Sequence, residues 1–274
     1  MMILINDETT LRRYLPNAFA TVDEETSIFD KLEPCLQEAE QWLIDNIVGD
    51  CISSIDPTSQ IFSNMQSFVV ADAFSKAIPS LDLVLTPNGF GIVNTNSVVP
   101  ASKDRVERLI QSLILHKDRM IALILHRLSE VKQWYSTKQC QWLSQSLIQN
   151  YNFVLKENCP DRWNRFLELR TEFQRWQNII ANEWLSPELL SRLMIEKATS
   201  YTTKESCDVI ADLDSVVSTA IKYDCLDTDT LLNIVNYIRI HSGKFPEWGN
   251  SELAKLFTED IFFRNNMNNG GFFF

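Results

Sequence analysis

The chain has 274 residues, with 36 acidic and 25 basic side chains for a net charge of −11, and only 7 glycines. That length allows one large or two small domains with a core that needs no disulfide or metal staple, and 45% apolar with 22% charged residues excludes wholesale disorder. The acidity argues against phosphate backbones and anionic membranes as main ligands, and no apolar run reaches the roughly 18 residues that a bilayer span needs.

The opening run Met1-Met2-Ile3-Leu4-Ile5-Asn6-Asp7 turns acidic after three apolar residues and is not read as a signal peptide. A first helix is predicted from Asp23 to Val48. Thr21 and Glu24 form its capping box, and Gly49 supplies the stop. Ile28, Leu32, Leu36, Ala39, Leu43 and Ile47 make one apolar stripe, which Pro34 should kink or split. A second helix is predicted from Asp56-Pro57 to Ile78, with Pro79 ending it.

The period then changes. Leu81-Asp82-Leu83-Val84-Leu85 alternates, Pro87-Asn88-Gly89 is turn chemistry, and Phe90-Gly91-Ile92-Val93 follows, which predicts a short β-hairpin over 81–93. Two strands alone are marginal in water, so the hairpin should lie against helices or another chain.

After Gly91 the next glycine is Gly243, and only Pro100, Pro160 and Pro187 intervene, each at a helix start. A stack of helices is the consequence. Ser102 should open the longest, to about Lys132. Its segments Leu113-Ile114-Leu115 and Ile121-Ala122-Leu123-Ile124-Leu125 mark a central helix covered on several sides. Further helices are expected at 138–156, 160–184, 187–199, 204–223 and 228–242, the last closed by Gly243. Trp163, Trp176 and Trp184, at helical spacing, read as core. A short helix over Leu253–Phe263 leads into the turn-rich segment 264–271 and then Phe272-Phe273-Phe274, three phenylalanines on a polar tether that call for a partner.

No catalytic or metal constellation emerges. There is no P-loop, and Gly89-Phe90-Gly91 lacks the third glycine of a dinucleotide fingerprint. His116 and His126 lie about 80° apart and nearly three turns distant on one helix, so they cannot share a metal. Asp227-Thr228-Asp229-Thr230 lacks the glycine and glutamate of a calcium loop and suits an N-cap better. Asp212 and Asp214 point apart. The six cysteines (35, 51, 140, 159, 207, 225) form no CxxC pair. In a reducing cytosol they read as small buried hydrophobes, and no histidine stands near Cys207 or Cys225 to activate a thiolate. No cofactor is expected.

Charge is segregated along the chain. Residues 21–56 hold ten acids against Lys31, residues 205–229 seven acids against Lys222, and residues 102–132 seven bases against four acids. Solvated helix faces account for this. So does electrostatic matching between copies in a head-to-tail oligomer.

The block Leu83-Val84-Leu85-Thr86, Asn88-Gly89-Phe90-Gly91-Ile92-Val93 and Val99-Pro100-Ala101-Ser102-Lys103-Asp104-Arg105-Val106-Glu107-Arg108-Leu109 resembles a largely uncharacterised family from phages and prophages of gut bacteria. The acidic amphipathic helix and apolar second helix upstream are similar to the helical head–tail connector proteins of tailed phages, a looser likeness reaching across about residues 1–150. The resemblance implies a non-enzymatic virion protein assembled in the host cytoplasm. It would be an adaptor ring subunit that binds portal and tail or neck proteins and no membrane, with non-specific contact to channel DNA left open. The alternative is a cytosolic helical binding protein or assembly chaperone, and an enzyme with an unrecognised site is the third reading.

The expected fold is mainly α, a multi-helix bundle with one hairpin. It is divided into a connector-like domain over 1–135, a helical domain or extension over 136–260, and a flexible tail over 261–274. Phe90, Arg105, Arg108, Phe272, Phe273 and Phe274 are the candidate partner-binding residues. The arginines are expected to meet an acidic face of the next subunit in preference to lining a DNA channel.

Overall fold

The computed structural model of the chain describes residues 3–15, 27–81, 83–86, 89–92, 102–200 and 202–258. The fold is mainly α and divides into two compact units. The first takes in residues 1–144, 148–170 and 198–200, the second residues 145–147, 171–197 and 201–274.

The first unit opens with a helix that periodicity did not suggest, α1 (Glu8–Tyr14), where the Asp7 carboxylate accepts the Thr10 N–H at 2.7 Å. Helix α2 (Ile28–Leu43) is capped by Ser27, whose hydroxyl accepts from Phe29 N at 3.1 Å. The Thr21 capping box and the expected start at Asp23 lie outside the described residues. Leu32, Leu36, Ala39 and Leu43 form the buried stripe, and the helix runs through Pro34 as one element. The buried Glu40 carboxylate on the same helix accepts from Ile3 N at 2.7 Å and Leu4 N at 2.9 Å, which ties down the start of the chain.

The last turn of this helix widens to a π-turn, Ile44–Val48, and ends at Gly49 with φ +70°. A Cβ there would sit 2.3 Å from Gln139 Oε1, so both backbone and space call for glycine. Widening the turn loosens carbonyl pairing, and distant side chains supply donors. Gln139 Nε2 donates to Asp45 O at 2.8 Å and Ile44 O at 3.3 Å, and Trp134 Nε1 donates to Ile47 O at 2.9 Å.

Helix α3 (Gln60–Ala77) starts at Ser59, whose hydroxyl accepts from Phe62 N at 3.3 Å. Asp56 does not cap it as expected; its carboxylate accepts from Thr58 N within the preceding turn. Nearly every residue from Phe68 to Ala77 is buried, so α3 is the central helix, with α2 and α4 (Lys103–Leu128) packed on it. This corrects the expectation that the helix after Ser102 is covered on several sides. The small residues Ala71, Ala73, Ser75 and Ala77 let neighbours approach α3 closely, whereas burial on α4 begins only at Asp118. Between α3 and α4, β1 (Leu83–Thr86) pairs antiparallel with β2 (Gly89–Ile92), Leu83 opposite Ile92 and Leu85 opposite Phe90.

The helix expected over 138–156 is interrupted. Helix α5 (Lys138–Leu143), capped by Thr137, stops before an irregular segment, and α6 (Asn152–Leu155) is a single turn. The cause lies on α7 (Arg162–Ile179). The Arg170 guanidinium donates to Trp142 O at 2.7 Å, Leu143 O at 3.3 Å and Ile148 O at 2.6 Å, turning carbonyls toward itself that a continuous helix would use.

In the second unit a π-turn, Ile180–Leu185, leads to Ser186, buried with φ 72°, and then α8 (Pro187–Thr199). Helices α9 (Lys204–Tyr223) and α10 (Thr228–Ile240) follow, capped by Thr203 and Asp227. Val209, Leu213, Val216 and Val217 of α9 and Leu231, Ile234, Val235 and Ile238 of α10 form their buried stripes. Helix α10 ends at Ile240, and Gly243 lies in the following 3-10 turn and does not act as its stop. Helices α11 (Pro246–Gly249) and α12 (Glu252–Thr258) complete the described chain.

Two compositional expectations change. Among the described residues the wholly buried tryptophans are Trp134 and Trp248, while Trp163, Trp176 and Trp184 are half-buried, each with part of its ring at the surface. Among the cysteines only Cys51 and Cys140 are buried, with thiols pushed up to about 11 by burial; Cys207 and Cys225 are exposed on or beside the polar side of α9.

Candidate interaction surface

Helix α4 is amphipathic over its whole length but covered over only half of it. From Lys103 to Ser112 no residue is buried. Val106, Leu109, Ile110 and Leu113 follow at three- and four-residue steps and make one apolar stripe. Leu109 is 45% exposed, and the other three are half-buried. Arg105 and Arg108 are both exposed here, and neither side chain has a hydrogen bond or ion pair among the described residues. Lys103 meets Glu107 at 3.6 Å on the open surface, a contact of little energetic weight.

The other sequence-derived candidates are placed less fully. Phe90 stands in β2 opposite Leu85, and its side chain lies outside the described residues. Phe272, Phe273 and Phe274 lie outside them as well.

A groove of about 340 Å³ in the first unit was not anticipated. It is walled by Trp42, Phe68 and Trp163 and edged by the charged residues Asp72, Lys76, Lys117, Asp118 and Arg162. Asp72 meets Lys76 at 2.9 Å and Lys117 at 3.2 Å, and Lys76 also meets Glu38 at 2.9 Å. Burial works against the Lys76 charge, but Glu38 and Asp72 outweigh it and raise its pKa. Asp118 accepts from Arg162 at 3.0 Å and from the Tyr151 hydroxyl at 3.2 Å. The aromatic faces are used internally, Trp42 stacking on Phe68 at 5.5 Å and meeting Trp163 edge-on at 5.1 Å. Both buried carboxylates, Asp72 and Asp118, thus have a cation, and their clusters join helices; Asp161, also on the groove's edge, accepts from Asn164 N and Nδ2 at the start of α7. Part of the signal was present in the sequence: Asp72 interrupts the apolar run Val69-Val70-Ala71 to Ala73-Phe74, and a carboxylate so placed must find a partner, whereas Asp118 stands among the charged residues Lys117 and Arg119 and gives no such sign.

Burial raises the Asp118 pKa above its ordinary 3.8, and Lys117, Arg162 and Tyr151 only partly oppose the rise. A carboxyl raised on folding binds its proton more tightly in the native state. Its stabilising contribution is full below 3.8 and is lost as pH rises through the folded value. Because Asn also takes the counter-ion from the largely buried Arg162, Asp118→Asn is expected to melt below the wild type, and by less at pH 7 than at pH 4, where the wild-type carboxyl is nearer its protonated form. Thermal scans at both pH values check this, and a deficit that shrinks on acidification contradicts it.

Of the histidines on α4, His116 bonds Ser67 Oγ at 2.7 Å, and burial lowers its pKa. No group of three or more His, Cys, Asp or Glu residues is arranged to hold a metal ion among the described residues. Among the same residues no helix is long and apolar enough to cross a membrane.

No curated protein and no solved structure matches the chain. A family model described as a family of unknown function (DUF6712) matches residues 24–143, the stretch that carries α2, α3, the β1–β2 pair and α4.

Proposed function

We propose that this chain is a non-enzymatic structural protein that works by self-assembly, a head–tail connector (adaptor) ring subunit linking portal to tail in a phage particle. The observation that supports this reading is the uncovered first half of α4, the next helix after the β1–β2 pair, which carries an apolar stripe and two exposed arginines with no partner among the described residues. Exposed apolar stripes of this kind mark contacts with another chain. A ring subunit needs two dissimilar surfaces, since heterologous contacts close a cycle. Phe90, Arg105, Arg108, Phe272, Phe273 and Phe274 are the residues assigned to neighbours, whether in the same ring or in the portal and tail. A net charge of −11 suits a channel through which DNA slides without sticking.

Mass spectrometry and cryo-EM of purified particles test the reading. The expected result is the chain in fixed stoichiometry as a ring at the neck, and its absence from particles overturns the proposal. A cytosolic helical binding protein or assembly chaperone is the alternative, and that chain would copurify with partners before assembly but be lost from the finished particle.

A further inference from the structure

The acidic side of α2 is the complement of the basic start of α4, and we infer that the two form the contact between neighbouring copies of this chain. The inference rests on the ring reading and gives it a specific interface. On α2, Asp30, Glu33, Gln37 and Gln41 succeed one another at three- or four-residue steps, which at roughly 100° per residue sets them in one row, and Asp45 follows in the π-turn, joined to Gln41 by a hydrogen bond. All are exposed except Glu33, which is half-buried. Among the described residues Glu33 and Asp45 accept only from neutral amides, Gln37 Nε2 at 3.1 Å and Gln41 Nε2 at 2.8 Å. The Asp30 carboxylate has no partner among the described residues, and Lys31 is the one base on the helix.

On α4 the counterpart is the segment Lys103–Leu113. Lys103 and Arg105 flank the stripe of Val106, Leu109, Ile110 and Leu113, one on each side; Arg108, one turn beyond Arg105, stands farther round on that same side, about 100° from Leu109, and Asp104 and Glu107 share the segment's outer face. The two faces do not neutralise each other within a chain: α2 and α4 each pack on the nearly all-round buried α3, and both faces remain uncovered. Two different faces that fit each other give a heterologous contact, which closes into a ring or runs on as a filament. In that contact the apolar stripe lies on the methylene stems of Gln37 and Gln41, Arg105 at its edge meets the acidic row directly, and Arg108 adds its charge from the outer rim of the same side. A contact built from one face of each of two helices and from exposed charges is expected to be weak and salt-sensitive in the isolated chain.

Sedimentation velocity across a concentration series, at low and at moderate salt, tests the contact with charge reversals. Arg105→Glu with Arg108→Glu, and separately Asp30→Lys with Asp45→Lys, are each expected to weaken self-association about tenfold or more while leaving the circular dichroism spectrum unchanged. A chain carrying all four reversals is expected to recover association, and a mixture of the two double variants to form heterodimers. Those results require the α4 face to meet the α2 face; pairing of α4 with α4 would not be rescued. A wild-type chain that stays monomeric throughout, association indifferent to the reversals, or failure of the four-fold variant to recover each overturns this interface. The ring reading itself falls only on the absence of the chain from particles.

Discussion

Arg170→Met is expected to lower stability by about 3 kcal/mol or more, because it strips donors from three carbonyls at once, two of them buried. The guanidinium is 8% exposed and stacks 4.1 Å above the Trp142 ring, and among the described residues no carboxylate pairs with it. Burial lowers its pKa to about 10, so it is still charged at neutral pH. A buried charge without a counter-ion persists only if its hydrogen bonds are worth the desolvation, and here the carbonyls of Trp142, Leu143 and Ile148 supply them. Methionine removes the charge and its desolvation cost, which offsets part of the loss, but takes away the donors that the guanidinium gives those carbonyls. Arg170→Lys keeps the charge yet lacks the planar fork that reaches several acceptors, so most of the loss should remain. Urea unfolding of both variants measures this. A lysine variant as stable as wild type would show that charge alone, and not the fork, holds the segment.

That contact also explains where sequence reasoning stopped. Local signals located most helix starts: Ser102, Ser186-Pro187 and Asp227 all stand where a helix begins. They could not locate the break after Leu143, because nothing in 138–156 forbids a helix. The cause is a guanidinium more than twenty residues away. Centrality was misread for a similar reason. The apolar runs of α4 are richer in leucine and isoleucine, but the small residues of α3 decide which helix others can surround. For the surface, Arg105 and Arg108 were legible as exposed bases on the long helix. The groove was hidden because Asp118, Tyr151 and Arg162 converge from separate elements.

The largest single-site effect should come from Trp134. The side chain is wholly buried, and its indole N–H donates at 2.9 Å to Ile47 O inside the π-turn that ends α2. Two losses follow from Trp134→Ala: a cavity the size of an indole, and a buried carbonyl left without its donor. Together they are expected to cost about 3–5 kcal/mol, which for a chain of this size lowers the melting temperature by roughly 10 °C. Trp134→Phe separates the two, since it retains much of the packing but no donor, and should cost about 1–3 kcal/mol. Gln139→Ala removes the donor to Asp45 O and Ile44 O from the same turn, on its more exposed side, and should cost less. Because both residues secure one turn, their effects should not add: the Trp134→Phe, Gln139→Ala double variant is expected to differ from the sum of the singles by about 0.5 kcal/mol or more. Denaturant melts of the four proteins close the cycle. Strict additivity would mean that the π-turn keeps its shape without either side chain, and that Trp134 acts through its volume alone.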